Sequence, residues 1–258
     1  MPYARVLALA LCLAAPAGRS QAPVPAFVDL RPVFASLRIP VRSQGARGTC
    51  SVFTVTGALE YVVSKELRRS LPLSPEYLNW AANQVTHNAN GDGHFFSDLW
   101  NGFEKYGICR EADMPYAPKL DPAAQPSPAA RRFAERIRRM GLRMHWIRPN
   151  DGTQGVTEAQ IEQCKAVLRA GWPVCAGSYH SVLLVGYQDD AALAGGGQFL
   201  IHDSGTGREG RMTYGEAIGR LCDLLWIEPK GRRRPGAAPP APLRLNGVPS
   251  APLHDARE

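Results

Sequence analysis

Helix-type periodicity and strand-type alternation are segregated along this 258-residue chain, and that segregation restricts the fold more than any other feature. In "CSVFTVTGALEYVVSKEL" (50–67), Val55, Leu59 and Val62 share one helical face, the mark of a core-packed helix. "LPLSPEYLNWAANQV" (71–85) places Ser74 before Pro75 and Glu76, an N-cap followed by proline at the first helical position. "FFSDLWNGFEKYG" (95–107) predicts a third helix, stopped by Gly107. Beyond one more helix, "EAQIEQCKAVLRAG" (158–171), the pattern changes. "WPVCAG", "YHSVLLVGYQ", "GQFLIHDS" and "DLLWIEP" are short β-branched or alternating runs that predict strands. A helical half followed by a strand-rich half implies an α+β fold with two subdomains. Residues 23–40, punctuated by proline, read as extended.

The two ends have a different character. "MPYAR", the short apolar run "VLALALCLAAPA" and the small residues of "GRSQA" follow the order of a secretory signal peptide, with cleavage expected after Ala22 and a cut near Gly18 as the alternative. The run is too short for a membrane anchor. The expected organisation is a signal peptide at 1–22, a globular domain at 23–230 and a disordered Pro/Ala/Arg-rich tail at 231–258. The mature chain is expected to be exported, periplasmic or secreted. Removing Cys12 leaves Cys50, Cys109, Cys164, Cys175 and Cys222, an odd number in an oxidising compartment. Four can pair while one stays free, Cys50 being the candidate for the free one; how Cys109, Cys164, Cys175 and Cys222 pair, or whether some stay reduced in the core, is not fixed by sequence. The net charge of +7 is concentrated in "RRFAERIRRMGLR" (131–143) and "KGRRRP" (230–235). Without zinc-finger spacing or basic–aromatic interleaving, these read as solvated arginines and no nucleic-acid partner is expected. No two histidines stand at metal-ligand spacing on one element, and "NANGDG" lacks the terminal Glu of a calcium loop, Leu99 standing there. Neither metal nor cofactor is expected.

The chemistry centres on "PVRSQGARGTCSVF". Gly45 and Gly48 form a tight turn, after which a helix begins at about Cys50. A thiol at a helix N-terminus lies at the positive end of the dipole, which favours thiolate. A nucleophile of this kind needs a base, and the base an orienter. His180 opens the strand "HSVLLVGY", and Asp203 ends the strand "QFLIHDS" on the face of Phe199 and Ile201, with His202 on the other. Pairing of the two strands brings Asp203 to His180. Gln44, six residues before Cys50, offers an amide N–H beside the Cys50 backbone N–H as a pair of oxyanion donors.

These segments, in this order, resemble the papain-like cysteine peptidases. "IPVRSQGARGTCSVFTVTGALE" is similar to the family's nucleophile segment and "LPLSPEYLNW" to its Leu-Ser-x-(Glu/Gln) segment. "NANGDGHFFSDLWNGFEKYGICREADMPYAP" resembles the Gly-Gly loop, the next helix and the Pro-Tyr stretch. "YHSVLLVGYQ" resembles the histidine strand, and "GGGQFLIHDSGTGREG" the Asn-Ser-Trp-Gly segment. The likeness covers roughly residues 36–228 and implies a papain-like two-subdomain fold with the active-site cleft between its halves. It implies Cys50 as nucleophile, His180 as base and acid, Asp203 as orienter, Gln44 in the oxyanion hole, and Gly91, Asp92 and Gly93 along the substrate backbone. The implied partner is a protein or peptide substrate. The departures are Ser51 where the family has Trp, Asp203 where it has Asn, and no Trp over the His–Asp pair. Arg47 and Ala89 stand where the family has a disulfide, and Arg47 puts positive charge near the cleft. Almost nothing separates the Pro-Val strand from His180, so a more open cleft is expected. Few residues precede the family-like start, so no inhibitory propeptide is expected. Two other readings stay open: a catalytically impaired papain-fold binding protein, and a papain-fold amidase or acyltransferase acting on a non-peptide amide.

Overall fold

The computed structural model describes residues 24–231. The expected signal peptide at 1–22, and the tail beyond Gly231, lie outside the described residues. The segment read as extended, 23–40, holds strand β1 (Phe27–Asp29) and helix α1 (Arg31–Ser36) instead. Pro32 sits in the first helical turn, where a missing N–H costs nothing. The Asp29 carboxylate accepts the Arg31 N–H at 2.9 Å. The prolines therefore start a helix rather than prevent one.

Helix α2 (Cys50–Leu67) is the central element. Thirteen of its 18 residues are buried, so it is enclosed on every side and not only along the Val55–Leu59–Val62 face. Even Glu60 is buried, held by Arg42 at 2.8 Å and by the Leu73 N–H. On one side α2 meets helices α3 (Pro75–Thr86) and α4 (Phe96–Tyr106). Ser74 caps α3 as expected, accepting the Tyr77 N–H at 2.9 Å. Helix α5 (Pro128–Arg138) follows, and it alters the reading of the basic run. Ala130, Phe133, Ala134 and Ile137 are buried on its inner face, while Arg138 and Arg139 pair with Glu135 outside. Arg131 lies 4.9 Å over the Trp80 ring. The arginines cover apolar surface with their stems and are not simply solvated.

The other side of α2 rests on an antiparallel sheet. Its strands are β2 (Leu142–Arg148), β3 (Val174–Gly177), β4 (Val182–Asp189), β5 (Gly197–Asp203), β6 (Arg208–Thr213) and β7 (Asp223–Pro229). Helices α6 (Glu158–Arg169) and α7 (Tyr214–Arg220) flank it. The strand order is β2-β7-β3-β4-β5-β6, with β1 added to β4. The architecture is α+β, with the cleft between the helical half and the sheet half. Two pairings position the site. Strands β4 and β5 pair with Leu183 opposite His202, which sets Asp203 near the start of β4. Strands β3 and β7 pair with Gly177 opposite Asp223 at the same end. Among the described residues no helix is long and apolar enough to cross a membrane.

Candidate active site

Cys50 is the first residue of α2, half-buried, at the end of the turn containing Gly45, whose φ is +63°. The N-cap residue is Thr49, yet its hydroxyl does not cap. It bonds the Tyr116 hydroxyl at 2.6 Å, and that hydroxyl donates to the Gln44 carbonyl at 2.9 Å. No side chain caps the first turn of α2, so the helix end keeps its positive character beside the thiol. Cys50 lines an open cleft of about 600 Å³, with Ser51, Asp92, Gly93 and Phe95 from the helical half and Gly177, Ser178 and Ser181 from the sheet half.

His180 stands between Ser178 and Ser181 in the short link from β3 to β4. The Ser178 hydroxyl donates to the His180 carbonyl at 2.6 Å and accepts its N–H at 3.2 Å, fixing the turn. The ring Nε2 meets Asp203 Oδ1 at 2.6 Å. Burial pushes the Asp203 carboxyl up, but the His180 bond, the Gly205 N–H at 2.8 Å and the Thr206 hydroxyl outweigh it and hold the group below the ordinary carboxylate range. Asp203 is therefore a carboxylate near neutral pH, an acceptor that orients imidazole through Nε2 and leaves Nδ1 free for chemistry. Gly205 lies against this pair: a Cβ there would stand 2.9 Å from the ring Cε1. The His180 side chain is 43% exposed. Cys50 and His180 share no hydrogen bond, and bonds of this kind commonly tighten only when substrate binds.

Gln44 is tied to the same cluster. Its Oε1 accepts from the Ser204 hydroxyl at 2.8 Å, and its N–H donates to the Ser204 carbonyl. The acceptor-only Arg47 carbonyl assigns the amide orientation. The Nε2 donates one proton to the Arg47 carbonyl at 2.8 Å and retains a second. Ser204 is thus a positioning residue that sequence reasoning did not single out, although it directly follows Asp203.

The loop at 91–94 is anchored rather than free. Asn79 and Asn83 both donate to the Gly91 carbonyl at 3.0 Å. Gly91 is buried and its carbonyl committed, so it supports the loop and does not present backbone to the cleft, contrary to expectation. Asp92 and Gly93 do reach the cleft. Gly93 has φ +96° and lies on the Gly48 carbonyl, where any side chain would collide. The Ser51 hydroxyl accepts the His94 N–H at 3.2 Å, giving the residue in the Trp position a structural task. Arg47 also departs from expectation: it is 6% exposed and does not charge the cleft. Its guanidinium bonds Glu76, Asp92 and the Ala117 carbonyl and lies 4.5 Å over the Tyr116 ring.

All five described cysteines are free thiols, so none of the pairings left open by sequence forms. Cys109, Cys164 and Cys175 are core residues, and burial pushes the Cys109 thiol up to about 12. Cys222, read from sequence only as a structural cysteine, and Asp223, which sequence did not single out, also line the cleft. Asp223 is 5% exposed, and burial raises its carboxyl from 3.8 to about 6 against the milder pull of Arg148. A raised carboxyl favours the folded state at low pH and loses that contribution as pH rises through about 6. Asp223→Asn should therefore raise Tm by a few degrees at pH 7.5 and leave it nearly unchanged at pH 4, measured by calorimetry.

No protein-family model matches the sequence, and no curated protein matches it. Solved structures do. The digestive procathepsin L 3 of Tenebrio molitor aligns at 19% identity and TM-score 0.57, over 81% of this chain and 71% of that one. The proform of Amb a 11, a ragweed cysteine protease, aligns at 19% identity and TM-score 0.57, over 81% and 68%. A structure bearing on the mite allergens Blo t 1 and Der p 1 aligns at 15% and 0.56, over 83% and 74%. At these identities the likeness is one of fold, and the fold is that of the papain-like cysteine proteases.

Proposed function

We propose that this chain is a cysteine peptidase that hydrolyses peptide bonds through an acyl-enzyme on Cys50, acting outside the cytoplasm. The observation that carries the reading is the 2.6 Å His180–Asp203 pair, whose histidine is flanked in sequence by Ser178 and Ser181 of the cleft that Cys50 enters from an uncapped helix end. The Cys50 thiolate attacks the substrate carbonyl carbon, and the oxyanion takes hydrogen bonds from the Cys50 N–H and the second Gln44 Nε2 proton. His180, protonated, gives its proton to the departing amine, leaving a thioester. Neutral His180 then takes a proton from water, whose oxygen attacks the thioester and releases the acid. The proton ends on the imidazole and the electron pair on sulfur, restoring the starting pair. Asp203 acts by holding the ring. Exported status is supported by the signal-like N-terminus alone.

Alkylation of Cys50 by iodoacetamide, located by peptide mapping, tests the thiolate. Rapid reaction at about pH 5 that disappears in His180→Ala is the expected result. A rate that climbs only above about pH 8 and ignores His180 would leave a papain-fold binding protein as the better reading.

A further inference from the structure

Asp223 is a buried carboxylate for which the mechanism above has no use. It lines the cleft that holds Cys50, is 5% exposed, and makes no side-chain hydrogen bond or ion pair among the described residues. The cation that acts on it, Arg148, does so through space and forms no ion pair with it. Arg148 is committed to the Leu221 carbonyl at 3.0 Å, to Asp151 at 3.0 Å and to the Thr153 carbonyl and hydroxyl. The site is nevertheless built. Asp223 faces Gly177 across the β3–β7 pairing, and its carboxylate fills the space that any side chain at 177 would need. The Cys222 thiol donates to the Gly177 carbonyl at 3.4 Å and makes no hydrogen bond to the Asp223 carboxylate.

The surroundings share one sign. The cleft is lined by Asp92, Asp98 and Asp223 and by no Lys or Arg, although the chain as a whole carries +7. Asp92 is neutralised by Arg47, and His94 is pushed down by burial. An unpaired carboxylate at this depth destabilises the fold and is compensated best by a cation that arrives with a ligand. The occupant must also extend from a peptide lying along Cys50, which selects a side chain over a free ion.

We propose that Asp223 determines specificity: it receives the lysine or arginine side chain of a substrate residue flanking the bond that Cys50 attacks. This rests on the reading of Cys50 as the nucleophile. A polar group buried to meet one partner discriminates strongly against substrates that lack it, because it is then left unpaired.

The test uses the full chain, wild type and Asp223→Asn, on fluorogenic peptide libraries. Peptides with Lys or Arg at one position should exceed their Gln and norleucine counterparts in kcat/KM by about 30-fold or more, and Asp223→Asn should reduce that ratio at least about tenfold. Asp223→Lys, measured alongside, should favour Glu at the same position. Hydrolysis without a cationic preference, or with one that Asp223→Asn leaves intact, overturns the inference while the peptidase reading stands. A second readout needs no turnover: the reaction rate at Cys50 of aminoethyl against sulfonatoethyl methanethiosulfonate, located by mapping. A high cationic ratio that falls in Asp223→Asn, with no peptide cleaved, keeps the cation site and removes the peptidase reading. A ratio indifferent to Asp223, with no peptide cleaved, overturns both.

Discussion

Cys50→Ala should lower kcat/KM for peptide hydrolysis by about 10⁴-fold or more, and His180→Ala by nearly as much. The two groups act in one step, so the double variant should be no worse than Cys50→Ala alone. Additive losses would mean that His180 works through some other group. Asp203 separates orientation from charge. Its Oδ1 takes both the His180 Nε2 proton and the Gly205 N–H, and its Oδ2 takes the Thr206 hydroxyl. Asparagine keeps the first two bonds through its own oxygen, and the threonine hydroxyl can accept where it had donated. Asp203→Asn should therefore stay within about tenfold of wild type, while Asp203→Ala, which frees a ring already 43% exposed, should lose about 100-fold. Steady-state kinetics from pH 4 to 9 check each expectation. A Cys50→Ala protein with wild-type turnover would remove the nucleophile assignment outright.

The legible parts of this molecule carry their signal within about one element. The start of α2 follows from the glycine turn ahead of a periodic run, and α3 from Ser74 and Pro75, because caps and turns are local chemistry. His180 and Asp203 could be matched because β4 and β5 are consecutive and antiparallel, so neighbouring strands pair. What escaped was non-local or masked. Strand β1 has three residues and exists only through β4, more than 150 residues away. The charge of α5 hid the buried face of Phe133 and Ile137. Asp223 is the first residue of an apolar strand and resembles an exposed end. Its place in the cleft depends on Gly177, whose missing side chain makes the room. Gly91 and Gly93 sit two positions apart in one loop, yet one faces the core and the other the cleft. Only the partners Asn79 and Asn83 decide which.

Arg47→Met should destabilise the fold by about 3–5 kcal/mol, because removing one partner of a buried ion pair strands the other charge. Sequence placed a cation at the cleft here. The structure shows a three-way tie between the turn before α2, helix α3 through Glu76 and the substrate-side loop through Asp92. The turn and the loop are the two segments that the disulfide implied by the family resemblance would join, so the guanidinium does with hydrogen bonds what a covalent link does elsewhere. Burial works against its charge, but Asp92 and Glu76 overcome this and keep it protonated throughout the accessible range. Their shares differ. The Glu76 side chain is 7% exposed and that of Asp92 24%, so water can take over Asp92 but not Glu76. Adding Glu76→Gln to Arg47→Met should therefore recover a substantial part of the loss, since the neutral amide can still accept the Ala117 N–H. In a 150–250-residue protein the single change corresponds to a fall in Tm of about 6–20 °C. It should also raise KM more than it lowers kcat, because the loop holding Asp92 and Gly93 loosens while Cys50, His180 and Asp203 keep their supports. Thermal denaturation of the two single variants and the double closes the cycle. A loss below about 1 kcal/mol for Arg47→Met, or no coupling to Glu76, would mean the guanidinium is not what ties the loop to the helix.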